Sequence, residues 1–180
     1  MNPRLVDHLL KHSVKRGEFT LRSGKQSNWF IDAKQTTCSP DGMLLVADAF
    51  LEVLPDDITA IGGLTMGADG ITFSVAAIAA SRGRMLRSFS VRKEEKDHGA
   101  GGRIAGTLEP GDRVALTDDA ITRGVAFLEA AAAVRAAGAE AVIAIPVVDR
   151  GGTAEAMCAA EGIAFAPLVT AVDLGFDYEG

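Results

Sequence analysis

The sequence predicts an α/β fold: a mostly parallel, twisted sheet with helices on both faces. From residue 40 onward, apolar strand-like runs alternate with helix-forming runs, the order expected of βαβ units. The run AVIAIPVV, residues 141–148, is apolar almost throughout, as a strand buried on both sides requires. In RVALTDDAITRGVA, residues 113–126, an apolar run (Val114, Ala115, Leu116) leads into two acids, a Thr-Arg-Gly turn and a helix-forming stretch.

The elements follow in order. Residues 3–15 read as a helix with Leu5, Leu9 and Leu10 on one side. Residues 17–32 read as two short strands around the turn Arg22-Ser23-Gly24-Lys25. Ser39-Pro40-Asp41 starts a helix, with Ser as N-cap and Pro at the first helical position, and Pro55 stops it after Leu54. A short strand over 58–63 ends in glycines, and a small-residue helix over 68–81 ends near Gly83. A strand over 85–91 leads into a polar, glycine-rich loop, 92–106. The next strand, 113–117, precedes a helix over 127–137 that ends near Gly138. A strand over 140–148, a helix over 153–160 and a last strand over 163–169 complete the pattern. The alanines of 130–137 are simply good helix formers, and no internal repeat is present.

A chain of 180 residues is expected to form one domain with room for a substantial core. Its 48% hydrophobic and 23% charged residues are ordinary for a soluble globular protein. A net charge of -6 and a pI near 5.0 argue against general nucleic-acid binding but leave room for a local basic site. The two cysteines, Cys38 and Cys158, offer neither a disulfide framework nor zinc spacing, so a reducing cytoplasm is expected. The N-terminal residues carry charges throughout and lack a signal-peptide core, and no apolar run is long enough to span a bilayer.

Asp118 and Asp119 carry the chemistry of the segment 113–126. Ligands of such sheets bind beyond the strands' C-terminal ends. Paired acids there can accept hydrogen bonds from vicinal ribose hydroxyls, or bind magnesium through water. A helix N-terminus behind them offers unpaired N–H groups and a positive dipole end to phosphate, and Gly124 lets the backbone approach closely. A bare acid pair is otherwise a solvated strand end.

The second constellation is RKEEKDHGAGG, residues 92–102, with Arg92, Lys93, Lys96 and His98 followed by glycines. Its bland reading is a charged surface loop. Its functional reading is a mobile lid whose cations close over an anion, with Lys96 or His98 neutralising a departing diphosphate and His98 donating a proton. The glycine turn around Gly62 and Gly67 serves either as a plain strand-to-helix turn or as a diphosphate cradle. Arg150, after the apolar strand, suits either a surface ion pair or a carboxylate held by its bidentate fork. Asp118, Gly62-Gly63, Arg92 and Arg150 all fall at strand C-termini, so they are expected to converge. His8 and His12 have helical ligand spacing but no accompanying acid, so no protein-held metal is expected. Trp29 and Phe30 suit core or pocket wall equally.

TDDAITRG resembles the phosphoribosyl-diphosphate (PRPP) motif of type I phosphoribosyltransferases. Together with GEFTLRSGKQSNWFID, RKEEKDHGAGG and VVDR, in that order along nearly the whole chain, it resembles the orotate phosphoribosyltransferases. The resemblance implies the type I fold with a small N-terminal hood: a helix and hood strands over 1–38, and an α/β core over 39–180 with the mobile loop 92–106. It implies transfer of the phosphoribosyl group from PRPP to orotate, with Mg²⁺, in pyrimidine nucleotide synthesis. Asp118 and Asp119 would meet the ribose hydroxyls. Ala120, Ile121, Thr122, Arg123, Gly124, Val125 and Ala126 would wrap the 5'-phosphate. Thr122 and Arg150 would sit at the orotate, with Arg22 and Phe30 as further contacts. Lys96 and His98, with the acids, would be catalytic, and Arg92 and Lys93 would join them on PRPP. Mg²⁺ would ride mainly on the diphosphate. The loop would cover the partner subunit's site in a homodimer.

The chain departs from the family pattern at Met66, where Lys is common, at Arg22, where Lys is frequent, and at Val125-Ala126, where Ser or Thr often ends the phosphate turn. Arg123 can supply extra charge there. The alternatives are a phosphoribosyltransferase of the same fold for another base, and a PRPP-binding regulator without catalysis. A flavodoxin-like signalling domain would explain the alternation but not the loop. Loop and Arg150 favour an acidic pyrimidine, and the low pI disfavours a nucleic-acid-binding regulator.

Overall fold

The computed structural model describes residues 2–20, 24, 26–95 and 102–179. The chain opens with α1 (Pro3–His12), which Asn2 caps through its side-chain oxygen to the Arg4 and Leu5 N–H groups. The helix is shorter than the 3–15 expected because its C-cap, Ser13, leads directly into strand pairing. Leu5 and Leu9 are fully buried, whereas Leu10 stands 36% exposed, off the apolar face expected of it. Strands β1 (Val14–Thr20) and β2 (Gln26–Ile31) form an antiparallel hairpin. The strict alternation of burial along β2 turns Ser27, Trp29 and Ile31 inward.

A single-turn helix, α2 (Lys34–Thr37), which the sequence pattern did not suggest, links the hairpin to α3 (Pro40–Val53). The α3 start is as expected: the Ser39 hydroxyl accepts the Gly42 N–H, and Pro40 takes the first helical position. Then come β3 (Ala60–Leu64), α4 (Asp69–Ser81), β4 (Arg87–Val91), β5 (Ile104–Gly106), β6 (Arg113–Ile121), α5 (Val125–Ala136), β7 (Glu140–Asp149), α6 (Ala154–Ala160), β8 (Ala164–Phe165) and β9 (Val169–Thr170).

Among the described residues the main sheet has seven strands, in the order β5-β4-β3-β6-β7-β8, with β9 also on β7. All its pairs are parallel except that of β5 with β4. The predicted sheet is therefore present, and β6 lies at its centre. Within this sheet, two strands differ most from expectation. Strand β6 continues four residues beyond Thr117, because Asp118, Ala120 and Ile121 stay in register with Pro146, Val148 and Asp149 of β7. The single strand expected over 163–169 is two short ones, and the break falls where Pro146 of β7, whose carbonyl accepts the Leu168 N–H, has no N–H to give that side of the ladder.

Two apolar clusters cover the sheet. One gathers Leu5, Leu9, Trp29, Val46, Phe50, Ile61, Ile71 and Val75 with Ala115 and Ile145. The other packs Phe89, Phe127 and the alanines of α5 against Val114, Leu116 and Ala144. Neighbouring residues of β6 thus enter opposite layers, as the two-residue period of a strand demands. Full burial of a side chain such as Phe50 or Phe127 stabilises by about 1.5–3 kcal/mol. The layers therefore clamp β6 and fix where its acids emerge. No helix of the described residues is long and apolar enough to cross a membrane.

Candidate active site

The acids lie within β6 and not in the turn after it. Asp119 is 9% exposed and Asp118 is partly buried. The Asp119 N–H donates to Asp118 Oδ1 at 2.9 Å, so the first carboxylate is tied back to its own strand. Burial, and then the neighbouring Asp119 charge, push the Asp118 carboxyl up to about 7. Lys34, from α2, forms an ion pair with Asp119. Burial works against the Lys34 charge, but the Asp119 hydrogen bond and charge outweigh it and raise its pKa above the usual lysine value.

The glycine turn between β3 and α4 meets the same acids. A Cβ on Gly67 would collide with Asp118 Oδ1 and stand 2.9 Å from Asp119 Oδ1, so only glycine fits there beside both acids. The turn is braced from below: Thr65 Oγ1 and Ser90 Oγ each donate to Asp69 at 2.7 Å, and the Thr65 N–H donates to the Val91 carbonyl at 3.0 Å. Its Thr65–Met66 peptide is cis, and Met66 is 72% exposed.

Past β6, residues 122–124 form the turn into α5. Gly124 has a φ of +80°, a left-handed conformation suited to glycine, and a Cβ there would lie 3.0 Å from that of Ala154. No side chain caps α5 at Gly124, so N–H groups of its first turn lack a side-chain acceptor, and Arg123 is exposed beside them. Ala120 and Ile121, expected in the phosphate turn, are strand residues, and Ile121 is 4% exposed; Thr122, Arg123, Gly124, Val125 and Ala126 form the turn and first helical residues. The Thr122 carbonyl accepts from Thr153 Oγ1 at 3.0 Å, which ties this turn to the one after β7.

Arg150 leaves β7 with its N–H on the Ile121 carbonyl, 2.8 Å, beside the same turn. Its side chain is engaged: it pairs with Glu179, and its guanidinium carbon lies 4.7 Å from the Trp29 ring centre. Glu179 also accepts from Ser27, and Trp29 stacks on Phe176 at 4.4 Å. The Arg150 Nε is buried without a partner among the described residues. Trp29 is therefore buried in the core and also walls the cavity beside it, while Phe30 is 37% exposed against Phe19. A cavity of about 460 Å³ opens here between Arg16, Trp29, Phe176 and Tyr178.

Arg92 follows β4 and is tied to the returning chain: its N–H donates to the Arg103 carbonyl at 2.7 Å, and Arg103 Nε returns a bond to the Arg92 carbonyl at 2.8 Å. Lys93 is exposed. Lys96, His98 and Arg22 lie outside the described residues. His8 bonds Thr36 Oγ1 through Nδ1 at 3.1 Å, and among the described residues no three His, Cys, Asp or Glu side chains cluster as metal ligands. The buried Cys158 thiol is pushed up to about 11 by burial, which makes it a poor nucleophile.

The structure thus joins the acid pair, the Gly67 turn and the α5 N-terminus at the C-terminal edge of the sheet, with Arg150 beside them. Sequence reasoning missed Lys34, Asp69 and Glu179. The demand of two adjacent buried acids for a cation was a signal for Lys34, and that of an arginine leaving a buried strand for an acceptor was a signal for Glu179; none marked Asp69.

No protein-family model matches the chain. The orotate phosphoribosyltransferase of Rhodopirellula baltica is 38% identical over 181 residues, covering 96% of this chain and 93% of its own. A crystal structure of Mycobacterium tuberculosis orotate phosphoribosyltransferase with Fe(III) dicitrate superposes with a TM-score of 0.86 at 32% identity, covering 97% of this chain and 99% of that one. A structure of the same enzyme in complex with PRPP gives a TM-score of 0.82 at 31% identity, with the same coverage.

Proposed function

The chain belongs to the orotate phosphoribosyltransferase family, and from that premise we propose that the edge of the sheet around Asp118 and Asp119 is its active site. The activity is transfer of the phosphoribosyl group from PRPP to orotate, giving orotidine 5'-phosphate and diphosphate, in pyrimidine nucleotide synthesis. One observation carries the assignment of the site: β6 delivers two acids to a point where the Gly67 turn and the uncapped α5 N-terminus also open.

In this reading the carboxylates of Asp118 and Asp119 accept the two ribose hydroxyls. The N–H groups of 122–126, with Arg123, hold the 5'-phosphate at the positive end of α5. Ala120 and Ile121 serve by holding the strand end in place. The Gly67 turn faces the diphosphate. As the bond from the anomeric carbon to diphosphate breaks, the leaving oxygen keeps the electron pair and the ribose ring gains positive charge. The acids beneath the ring stabilise that charge. Orotate N1 supplies the electron pair of the new bond and releases its proton to solvent as that bond forms. Lys96 and His98 neutralise the departing diphosphate, and His98 gives it a proton. Arg92 and Lys93 carry that loop and add positive charge to the PRPP side.

Mg²⁺ would ride mainly on the diphosphate, since among the described residues the carboxylates at this site do not gather into a cluster of three or more ligands. When bound it supplies charge neutralisation for the leaving group. Thr122 and Arg150 take the orotate. The free Nε edge of Arg150 suits the substrate carboxylate, which would share or displace Glu179. By the family resemblance, Arg22 and Phe30 would be further orotate contacts. The enzyme acts as a homodimer, each loop 92–106 closing over the partner's site, in a reducing cytoplasm consistent with two free cysteines.

The test is orotate consumption, followed by ultraviolet absorbance, with PRPP and Mg²⁺ present or withheld. Loss of orotate that requires both is expected. Binding of PRPP without loss of orotate, or with loss of another base instead, would overturn the choice of substrate.

A further inference from the structure

Lys34 is the cation that answers the acid pair, and it comes from outside the sheet. It sits on α2, between the N-terminal hairpin and α3. That short helix is pinned by a buried polar hub: Thr36 Oγ1 lies 2.7 Å from Ser13 Oγ and 3.1 Å from His8 Nδ1. Ala33, Thr36 and Thr37 are buried around it, while the Lys34 side chain is 42% exposed and reaches over to Asp119. A hub joining α1, the segment leading into β1, and α2 thus sets where the base of Lys34 stands.

We propose that Lys34 is a positioning residue for PRPP binding, holding the Asp119 carboxylate aimed at the ribose hydroxyls and so coupling the N-terminal unit to the sheet-edge site. The inference rests on the reading of the acid pair as the ribose-binding group. Two carboxylates on adjacent residues, one of them nearly buried, repel each other and lose hydration. A cation bonded to Asp119 offsets both effects without blocking Asp118. Direct contact of Lys34 with the reacting ribose would oppose the positive charge that develops there. Held behind Asp119, the ammonium fixes the acceptor and leaves the ring to the carboxylates. Asp32, Asp118 and Asp119 are the charges that face it.

The experiment is a double-mutant cycle on steady-state constants for both substrates, using Lys34→Met, Lys34→Arg, Asp119→Asn and the Lys34→Met/Asp119→Asn double variant. Lys34→Met is expected to raise the PRPP KM about tenfold, with the orotate KM within about twofold of native and kcat at saturation changed less than KM. Lys34→Arg is expected to stay within about threefold of native. In the Asp119→Asn background the Lys34 change is expected to add less than about twofold, because the group it positions is gone.

Multiplicative effects in the cycle, an equal rise in the orotate KM, or a silent Lys34→Met would overturn the proposal. An unchanged PRPP KM in Asp119→Asn would instead remove the acid-pair reading, and this inference with it. If Lys34→Met fails to melt cooperatively, Lys34→Gln, a neutral donor of similar reach, takes its place in the cycle with the same expectations.

Discussion

Replacing Asp118 with Asn should make the protein more stable and bind PRPP worse, and pH separates the two effects. Asp118 goes from 3.8 in the unfolded chain to about 7 in the folded one, pushed there by burial and by Asp119. The folded state therefore holds more protons between about pH 4 and pH 7, and stability falls as pH rises through that window, staying level above it. A shift of about three pH units corresponds to about 4 kcal/mol at most. Asp118 keeps some solvent contact and shares its environment with Asp119 and Lys34, so about 2 kcal/mol is the working figure. For a chain of this size that is a Tm rise of about 4–8 °C for Asp118→Asn over native at pH 8, with little or no rise at pH 4. Calorimetric melts of both proteins across that range measure it. The amide keeps an oxygen for the Asp119 N–H but loses the charge, so PRPP affinity at pH 8 should fall at least about tenfold. A Tm difference that is the same at pH 4 and pH 8, or that favours native at pH 8, would refute the claim that Asp118 stores this cost.

Gly67→Ala puts a methyl group where both acids stand, so the Asp118 carboxylate must turn away; PRPP KM should rise about 10- to 100-fold while orotate KM holds, and a PRPP KM within about threefold of native would mean the acid geometry is not used. Glu179→Gln leaves the shape of the C-terminal segment but removes the carboxylate that competes for Arg150; orotate KM should fall about threefold, and a rise would mean that Glu179 orients Arg150 instead of occupying it.

Local patterns in the sequence and contacts across the fold differ in how much they reveal. The alternation of runs, the Ser39-Pro40 helix start and the passage from β6 through Gly124 into α5 are all local, and local chemistry suffices to read them. Strand β5 escaped notice because it is three residues long and ends in Gly106, whose φ of +131° lets it lie against the Phe89 backbone. The extent of β6 was hidden because acids read as a strand end until their partners on β7 are known. Pro146 would ordinarily argue against a central strand. It is tolerated because its carbonyl still accepts the Leu168 N–H at 3.0 Å, and because its missing donor faces the gap between β8 and β9 and not β6.

Two of the site contacts that sequence reasoning missed, those of Lys34 and of Glu179, share one property: they join residues far apart in the chain by charge, with no periodicity to betray them. Lys34 and Asp119 are 85 positions apart, and Arg150 and Glu179 are 29 apart. Yet half of each pairing was legible. Adjacent acids on a strand between two apolar layers require a cation, since neither can keep its charge cheaply alone. An arginine emerging from a buried strand requires an acceptor for its fork. The requirement belongs to local sequence, and the residue that meets it belongs to topology. The two pairs also differ in what substrate would do to them. The ribose hydroxyls of PRPP can bond Asp119 while Lys34 remains in place, because a carboxylate accepts from several donors at once. In the proposed reading an orotate carboxylate that takes the unpartnered Nε of Arg150 also reaches for the Nη2 donor that Glu179 now holds, so the first contact can cooperate with its substrate and the second competes.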